Sequence, residues 1–399
     1  MAITGLTGAA GMAVESQFCT VPLNGSASPY TIGGSANPLR YFALLPGSGM
    51  TGSPTLQAKP EVDGGVEQRR ILMLGKTYSG TLTWHADPEN LHYPLMGALG
   101  RDIQTLVQSA SVSQSPAVYR HVFLPGSTAP SFTIEEDMGD GLYSRLSAGA
   151  VVERLDLHFG TSVTAAMELA ACRQLPNTYP NAAGSSVSTL FGSTPALLPP
   201  ALGGDGVKTV SRTTAPAYVD LPGGSGALAF AGVGPGSQNG GAWLAAGGQA
   251  LNAQMLPGTR IRIERAYSLP QTAGSGYDPG AAVGGRLAVS GRLVALYEDM
   301  SLPAASLAFQ PVSLNFRVTG PLLGTSGQAA WMEVWVPNLC FERTPLPFAE
   351  GAMLLNADWT AQVDSSAGFS VQITLQNSFN TAALGGQGAS GGPGGWRAA

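Results

Sequence analysis

The sequence predicts a mainly β protein, built as two tandem β-sandwich or barrel domains with long loops and one short helix. Its 54 glycines and 29 prolines make long helices unfavourable. An apolar content of 44%, with six Trp, eleven Tyr and thirteen Phe, is enough for a packed core and argues against a disordered chain. Apolar and polar residues alternate along several segments, and this is the period of a half-buried strand.

Length and charge limit the possible classes of protein. A chain of 399 residues is long enough for two domains of about 150 residues each. Charged residues make up 11% of the chain and the formal net charge is -5, so no surface for tight nucleic-acid binding is predicted. The sequence begins without a basic segment and an apolar core, and no apolar run approaches the length of about 18 residues that spans a membrane. We expect no signal peptide, no membrane anchor and synthesis in the cytosol.

The first predicted hairpin lies before the middle of the chain. The apolar residues Leu155, Leu157 and Phe159 alternate with polar ones, a turn follows at Gly160, and alternation resumes over 163–169. Alternation on both sides of a glycine turn predicts two antiparallel, half-buried strands.

A similar pattern recurs later. The segment GAVVERLD at 149–156 shares the frame Gly-Ala-apolar-apolar-x-x-apolar-Asp with GAMLLNAD at 351–358. Alternation over 355–363 and again over 369–375, on either side of a Ser-rich turn, predicts a second hairpin equivalent to the first.

A further pair of elements lies upstream, where YSGTL at 78–82 resembles VSGRL at 289–293. Similar elements in the same order predict an internal duplication. The predicted parts are a first domain at 1–175, a linker at 176–206, a second domain at 207–380 and a flexible Gly-rich tail at 381–399.

The one predicted helix runs from Asp87 to Leu99. Asp87 is a good N-cap, Pro88 suits the first helical position, and Gly100 can end the helix. Pro94 falls inside this range, so we expect a short, kinked helix.

The sequence predicts no catalytic, cofactor or metal site. Three cysteines, an odd number, are far apart and indicate neither a disulfide framework nor a metal motif. The spacing of the histidines matches no zinc pattern; they are His85, His92, His121 and His158. The segment GASGG at 388–392 has the GxSxG form but lies in a low-complexity tail.

The densest acidic cluster is Glu135, Glu136 and Asp137, with Asp140 nearby. We interpret it as a solvated loop rather than a Ca²⁺ site.

Several segments together resemble the major tail tube proteins of long-tailed bacteriophages. They are GMAVESQF at 11–18 followed by Pro22, YSGTL at 78–82, the helix region 89–100, the strand SFTIE at 131–135 and the hairpin region 149–173. The resemblance covers most of 1–175. Over about 207–380 it keeps the strand WMEVWVPN at 331–338 but has no obvious counterpart of the helix, unless 303–308 holds a remnant.

The resemblance implies a β-sandwich whose sheet joins those of its neighbours into a ring, with rings stacked into a hollow tube for DNA ejection. Two fused domains would give a pseudo-hexameric ring from three subunits. The implied partners are further copies of the chain, a tape-measure protein and a tail terminator, with transient passage of double-stranded DNA. No cofactor is implied, and the implied location is the virion after synthesis in the host cytoplasm.

Two sets of residues are candidates for function in such a tube. The polar side of both hairpins is predicted to line the lumen with few cations: Asp156, Thr164, Glu168, Asn356, Asp358, Thr360, Gln362, Gln372 and Thr374. The segment 45–66 is long, polar and glycine-punctuated, so it is either an arm that reaches the next ring or a plain surface loop. The arm residues are Ser48, Met50, Thr51, Thr55, Gln57 and Lys59.

Other classes of protein remain as alternatives. A tail terminator, a baseplate ring or a decorated tube subunit would have one such domain. A bacterial surface or adhesion protein would also be rich in β-structure and glycine, but the missing signal peptide disfavours it. A hydrolase is least favoured, because His and Ser have no recognisable partners.

Overall fold

The structure of the chain is a computed structural model. The described residues are 9–15, 18–19, 31–32, 35–36, 40–58, 71–88, 90–111, 117–137, 144–177, 233–236, 243–247, 249–251, 253–272, 275–297, 299–323, 325–343 and 354–379. The predicted tail 381–399 lies outside them, as does the predicted linker 176–206 after its first two residues.

The molecule is mainly β, as predicted. Strands β1 to β12 are Ala9–Val14, Thr31–Ile32, Ser35–Ala36, Arg40–Ala43, Gly49–Ala58, Ile71–His85, Gly100–Gln108, Val118–Pro125, Phe132–Asp137, Ser144–Phe159, Val163–Ala171 and Arg173–Asn177. Strands β13 to β22 are Val233–Pro235, Leu244–Ala246, Gln249–Ala250, Ala253–Met255, Thr259–Ser268, Val283–Tyr297, Val312–Leu322, Ala329–Arg343, Leu354–Ala361 and Gln372–Asn377. The helices of the described part are α1, His92–Leu99, and α2, Ser301–Leu307.

The long strand β10 links two antiparallel sheets in the first half of the chain. Its first part pairs with β9 and β12, and β9 continues through β1 to β4. Its second part pairs with β11, which continues through β6 to β5. Side chains from both sheets and from α1 form one apolar cluster, including Met12, Leu82, Trp84 and Leu95. The predicted hairpin of β10 and β11 is confirmed.

The second half repeats this order of strands. The strand β20 pairs on one side with β19 and on the other with β22 and β21, and β21 continues through β18 to β17. The strand order β17, β18, β21, β20 of the second half is therefore equivalent to the order β5, β6, β11, β10 of the first half. The hairpin of β7 and β8, between α1 and β9, has no counterpart, because α2 leads to β19 within a few residues.

Two β-bulges recur at equivalent places. In the first bulge, the β10 segment 147–150 has one residue more than the β9 segment 132–134 opposite to it. The β20 segment 336–339 has the same excess over the β19 segment 312–314. A bulge sets the bend and twist of its strand, so the two sheets are shaped alike at this point.

The second bulge lies further along the same strands. The β10 segment 152–154 has one residue more than residues 168–169 of β11. The β20 segment 341–343 likewise exceeds residues 358–359 of β21. This register makes Arg343 the equivalent of Arg154.

The structure corrects the equivalence that the Gly-Ala frame predicts. The first copy lies on β10, whereas the described part of the second, 354–358, lies on β21 in the place of β11. Any half-buried strand shows the same alternation, so the frame does not identify a strand's position. The match between YSGTL at 78–82 and VSGRL at 289–293 does reflect structural equivalence. Gly80 lies opposite Met50, and Gly291 lies opposite Ile261 at the equivalent position.

The predicted second hairpin is also wrong. The strands β21 and β22 do not pair with each other in the described part; they lie end to end along one edge of β20. The segment 339–343 of β20 pairs with β21, and 331–335 pairs with β22. The intervening residues 362–371 leave the sheet and return to it.

The predicted helix begins later than expected. The Asp87 carboxylate accepts the Asn90 N–H at 2.8 Å and so closes a preceding turn, and α1 begins at His92. Pro94 therefore falls in the first turn, where backbone N–H groups have no intrahelical partner, and the helix is short without a break. Gly100 ends it in the left-handed region with φ 90°, as predicted. The segment 303–308 also proves helical, since most of it forms α2.

A buried carboxylate ties β1 to its neighbours. Glu15, which is fully buried, accepts hydrogen bonds from Ser131 Oγ and Thr133 Oγ1, both at 2.7 Å, and from the backbone N–H groups of Gly149 and Cys19 at 2.8 and 2.9 Å. Burial raises the pKa of Glu15, and these hydrogen bonds oppose the shift. The segment 11–18 that carries the family resemblance thus contains an anchor of the smaller sheet.

The equivalent glycines provide a test of the repeated architecture. A Cβ on Gly80 would lie 2.1 Å from the Gly49 carbonyl oxygen, and one on Gly291 would lie 2.3 Å from that of Arg260. We expect Gly80→Ala and Gly291→Ala each to lower the free energy of unfolding by about 1–3 kcal/mol, because the backbone of the paired strand must shift. Urea unfolding measures this change.

Gly160→Ala is the matched control. An added Cβ there meets its nearest atom at 3.4 Å, an ordinary contact, so its unfolding midpoint should stay near that of the unmodified chain. Unchanged stability in either Gly80→Ala or Gly291→Ala would contradict the equivalence of the two sites.

Candidate functional site

The candidate site is the polar face of one continuous sheet that runs through both halves of the chain. The strand β10 pairs with β17 from Arg154↔Glu264 to Phe159↔Thr259, so the order is β5, β6, β11, β10, β17, β18, β21, β20. We call this the shared sheet.

The register places rows of directly opposite residues on this face, because cross-strand partners share a side of the sheet. One row across six strands consists of His85, Thr164, His158, Arg260, Arg292 and Asp358. The next row consists of Thr83, Ala166, Asp156, Arg262, Ser290 and Thr360.

The opposite face of the shared sheet packs into the core. Its buried side chains alternate with the polar rows and include Leu157, Met167, Ile261, Leu293 and Trp359. Register and burial together therefore fix which side chains can meet solvent or another molecule.

Asp156 is the centre of the charges on the polar face. Its carboxylate lies 2.7 Å from Arg260 Nη2, 2.9 Å from Arg262 Nε and 3.2 Å from Arg154 Nε. Burial acts to raise the pKa of Asp156, but the hydrogen bonds from Arg262 and Arg260 outweigh it and hold this pKa below its usual value. Both arginines belong to the second half, so Asp156 links the halves by charge as well as by backbone pairing.

Two further ion pairs lie on the same face. Arg154 Nη2 is 2.7 Å from Glu168, and Arg292 Nε is 2.8 Å from Asp358. The hydrogen bond to Asp358 raises the pKa of Arg292. Burial, with the charges of Glu168 and Glu264, raises the pKa of Glu153.

This face carries more cations than the two predicted hairpins supply by themselves. Arg260, Arg262 and Arg292 come from β17 and β18, strands that lie outside the two predicted hairpins. Each of them is paired with an acid. Acids outnumber arginines among the described charges of the face: Glu153, Asp156, Glu168, Glu264, Glu342 and Asp358 against Arg154, Arg260, Arg262, Arg286 and Arg292. At the ion pairs, a phosphate would meet guanidinium groups already neutralised by carboxylates.

The structure brings together most of the predicted lumen residues. Six of them lie on the polar face: Asp156, Thr164, Glu168, Asn356, Asp358 and Thr360. Gln362 follows β21 and is exposed. Gln372 and Thr374 lie elsewhere, because β22 pairs with β8 and β20 rather than with β21.

These two residues line a polar cavity of about 420 Å³ with Thr105, Arg120, Arg317, Trp331 and Glu333. Arg317 Nε donates to Glu333 at 3.0 Å, and its guanidinium lies 4.0 Å from the Trp331 ring. The sequence contains no signal for this cavity, because its walls come from distant strands.

The predicted arm is a strand rather than a loop. Met50 is fully buried, and Ser48 Oγ accepts the Thr83 N–H at 3.0 Å, so the arm begins inside the fold. Thr51, Thr55 and Gln57 lie further along β5 and are exposed. Lys59 lies outside the described residues.

The acidic cluster is also part of the sheet. Glu136 is buried in β9, where it pairs with Arg145 Nε at 2.7 Å and accepts the Met50 N–H at 2.8 Å. The expectation of a solvated loop is wrong for this residue, because its charge is compensated inside the fold.

Comparison with known proteins gives one family. A family model described as phage tail tube protein matches residues 5–361, nearly the whole chain. No curated protein matches this chain. Within the described residues, no helix has the length and apolar character needed to cross a membrane.

The Asp156 cluster predicts a specific dependence of stability on pH. Because the pKa of Asp156 is lowered in the folded state, its contribution is present above the ordinary Asp pKa of about 3.9 and is lost as the pH falls through the folded value. We expect Asp156→Asn to lower the free energy of unfolding by about 1–2 kcal/mol at pH 7. The difference from the unmodified chain should begin to shrink near pH 4 and disappear once the pH falls below the lowered pKa of Asp156, as measured by urea unfolding.

Asp358→Asn is the control on the same face. Its ion pair with Arg292 is about half exposed, so the expected loss is below about 0.5 kcal/mol. If both substitutions cost the same, or if the Asp156→Asn difference persists in acid, the role assigned to Asp156 is wrong.

Proposed function

Since this chain belongs to the phage tail tube protein family, we propose that it is a structural subunit that polymerises into stacked rings, each made of three copies, around a hollow conduit for DNA ejection. The observation that carries the proposal is the repeated sheet, joined inside one chain by pairing of β10 with β17.

This internal junction serves as the template for contacts between copies. It joins the last strand of the first four-strand set to the first strand of the second. Because the halves are equivalent, the end of β20 takes the part of β10, and β5 takes the part of β17. In a ring, the end of β20 in one copy would therefore lie beside β5 of the next copy. We propose that these two strands pair in the same antiparallel register.

Beyond Met50, whose N–H donates to Glu136, the edges required for this pairing are open. Among the described residues, β5 pairs only with β6, and the segment 340–343 of β20 pairs only with β21. Open strand edges tend to pair with other chains, and closing a ring removes them. Three copies, each with two equivalent sheets, would close a ring of six.

Exposed apolar side chains near both edges also suit contacts between copies. The hairpin of β5 and β6 exposes Leu56, Ile71, Leu72 and Leu74. The helix α1, which is wholly buried, contacts β17 across the internal junction, whereas Leu307 and Phe309 at the end of α2 are 70% and 80% exposed. In the proposed ring, β5 of the next copy would cover α2 as β17 covers α1.

The polar face of the shared sheet is our candidate for the surface of the bore. Most of its arginines are paired and its acids are in excess, so the face would hold phosphates weakly and double-stranded DNA could pass without lasting attachment. We propose no catalysis and no cofactor. The two sheets of each half, 1–175 and 207–380, would form equivalent units of the ring.

The exposed residues Thr51, Thr55 and Gln57 of β5 are proposed to contact another copy, and this replaces the idea of a free axial loop. Tape-measure and terminator proteins, which the family resemblance implies, would meet the completed tube in the virion.

Cysteine cross-linking tests the junction at residue level. In the internal junction Arg154 lies opposite Glu264, whose equivalents are Arg343 and Ser53. We expect Ser53→Cys with Arg343→Cys, in a Cys340→Ser background, to form disulfides between copies upon mild oxidation, since directly opposite Cβ atoms lie within disulfide reach. Non-reducing gel electrophoresis should show a ladder that ends at a trimer.

Two controls define the register. The pair Gln57→Cys with Arg343→Cys displaces one thiol by four residues along β5 and should cross-link weakly. Each variant that carries only one introduced cysteine should stay monomeric on the gel. A ladder that continues beyond the trimer would exclude a closed ring of three, and equal cross-linking at residues 53 and 57 would exclude the proposed pairing.

A further inference from the structure

Two histidines and an aspartate form a buried cluster where the first half of the chain meets the end of the second. His92 begins α1, Asp102 lies on β7, and His121 lies on β8 beside β22. Both histidines are fully buried and the Asp102 side chain is 8% exposed. Their potential ligand atoms all lie within 4.8 Å of one another.

The distances suit a small tetrahedral ion. His92 Nε2 lies 3.4 Å and His121 Nδ1 lies 3.1 Å from the same oxygen, Asp102 Oδ2. Bonds of about 2.1 Å to a tetrahedral ion place neighbouring ligand atoms about 3.4 Å apart. Little movement of these side chains would be needed to enclose an ion.

The hydrogen bonding of His121 restricts what can lie between it and Asp102. Its Nε2 is 2.8 Å from the Phe379 carbonyl oxygen, which can only accept, so Nε2 carries a hydrogen. In a neutral ring Nδ1 then presents a lone pair to the Asp102 carboxylate, which also can only accept. Such a contact between two acceptors is favourable only if a proton or a metal cation lies between them.

The position of the His92 ring favours a metal cation, rather than a proton, between His121 and Asp102. A protonated His121 and Asp102 would form a sufficient pair by themselves, yet His92 Nε2 converges on the same oxygen. The ring of His92 is enclosed by those of Phe123 and Phe379, with centroids 5.1 and 4.5 Å away. A histidine that binds a metal usually donates its other ring N–H to a carbonyl or carboxylate, as His121 does to Phe379.

We propose that His92, Asp102 and His121 are the protein ligands of a divalent transition-metal ion of the zinc class. Two imidazoles and one carboxylate are a ligand set that Zn²⁺ accepts. Through the Phe379 carbonyl, which orients His121, the ion would hold the residues after β22 against α1 and β8. Its role would be structural, and the site does not depend on the proposed ring.

Metal binding by the full chain tests the site. The protein is stripped with a chelator, loaded with Zn²⁺ and dialysed, and its metal content is measured by mass spectrometry. Co²⁺ serves as a spectroscopic probe of tetrahedral coordination. We expect about one bound ion per chain. We expect His92→Phe, which keeps an aromatic ring, and Asp102→Asn, which keeps the volume, each to weaken Zn²⁺ binding by about 100-fold or more.

His158→Asn is the control, because His158 is an exposed histidine on the polar face and its loss should leave Zn²⁺ binding unchanged. Circular dichroism verifies that each variant folds. Nitrogen NMR of the unmodified chain provides a readout that needs no variant. If His121 keeps hydrogens on both ring nitrogens in excess Zn²⁺, the cluster is an imidazolium–carboxylate pair and the proposal is wrong. Equal loss of binding in His158→Asn would also overturn it.

Discussion

Antiparallel pairing between β10 and β17 is the interaction on which the rest of this molecule depends. It joins two four-strand sets into one sheet, and its register decides which residues of the two halves face each other. A shift of one residue would move every side chain to the other face. Asp156 would then lose Arg260 and Arg262, and Leu157 would leave the core. Backbone pairing, charge pairing and apolar burial all agree on one register.

The same pairing also neutralises the arginines that lie at the junction. Each arginine at the junction lies within hydrogen-bonding distance of a carboxylate from a neighbouring strand. The charges stabilise the sheet and are already neutralised when another polyanion arrives. In the conduit proposed above, such internal neutralisation would keep the face hydrated while phosphates meet few unpaired cations.

The two halves share a strand order and differ in what covers them. In the first half, α1 is buried beneath β8, β10 and β17, and the hairpin of β7 and β8 adds the buried cluster of His92, Asp102 and His121. In the second half, no such hairpin separates α2 from β19, and Leu307 and Phe309 remain exposed. One half is thus completed within the chain, whereas the other presents surfaces that a second copy can complete.

The sequence by itself determined the mainly β class, the hairpin of β10 and β11, the helix end at Gly100, the equivalence of Gly80 and Gly291, and the family. These features depend on local periodicity, on turn residues and on one position where only glycine fits. The tertiary structure decided that β21 replaces β11, that β22 lies beside β8, and that arginines from β17 meet Asp156. It also placed His92 beside His121. Strand neighbours are chosen by pairing over long sequence separations, and alternating strands look alike locally, so no pattern within a single segment could determine which strand lies beside which.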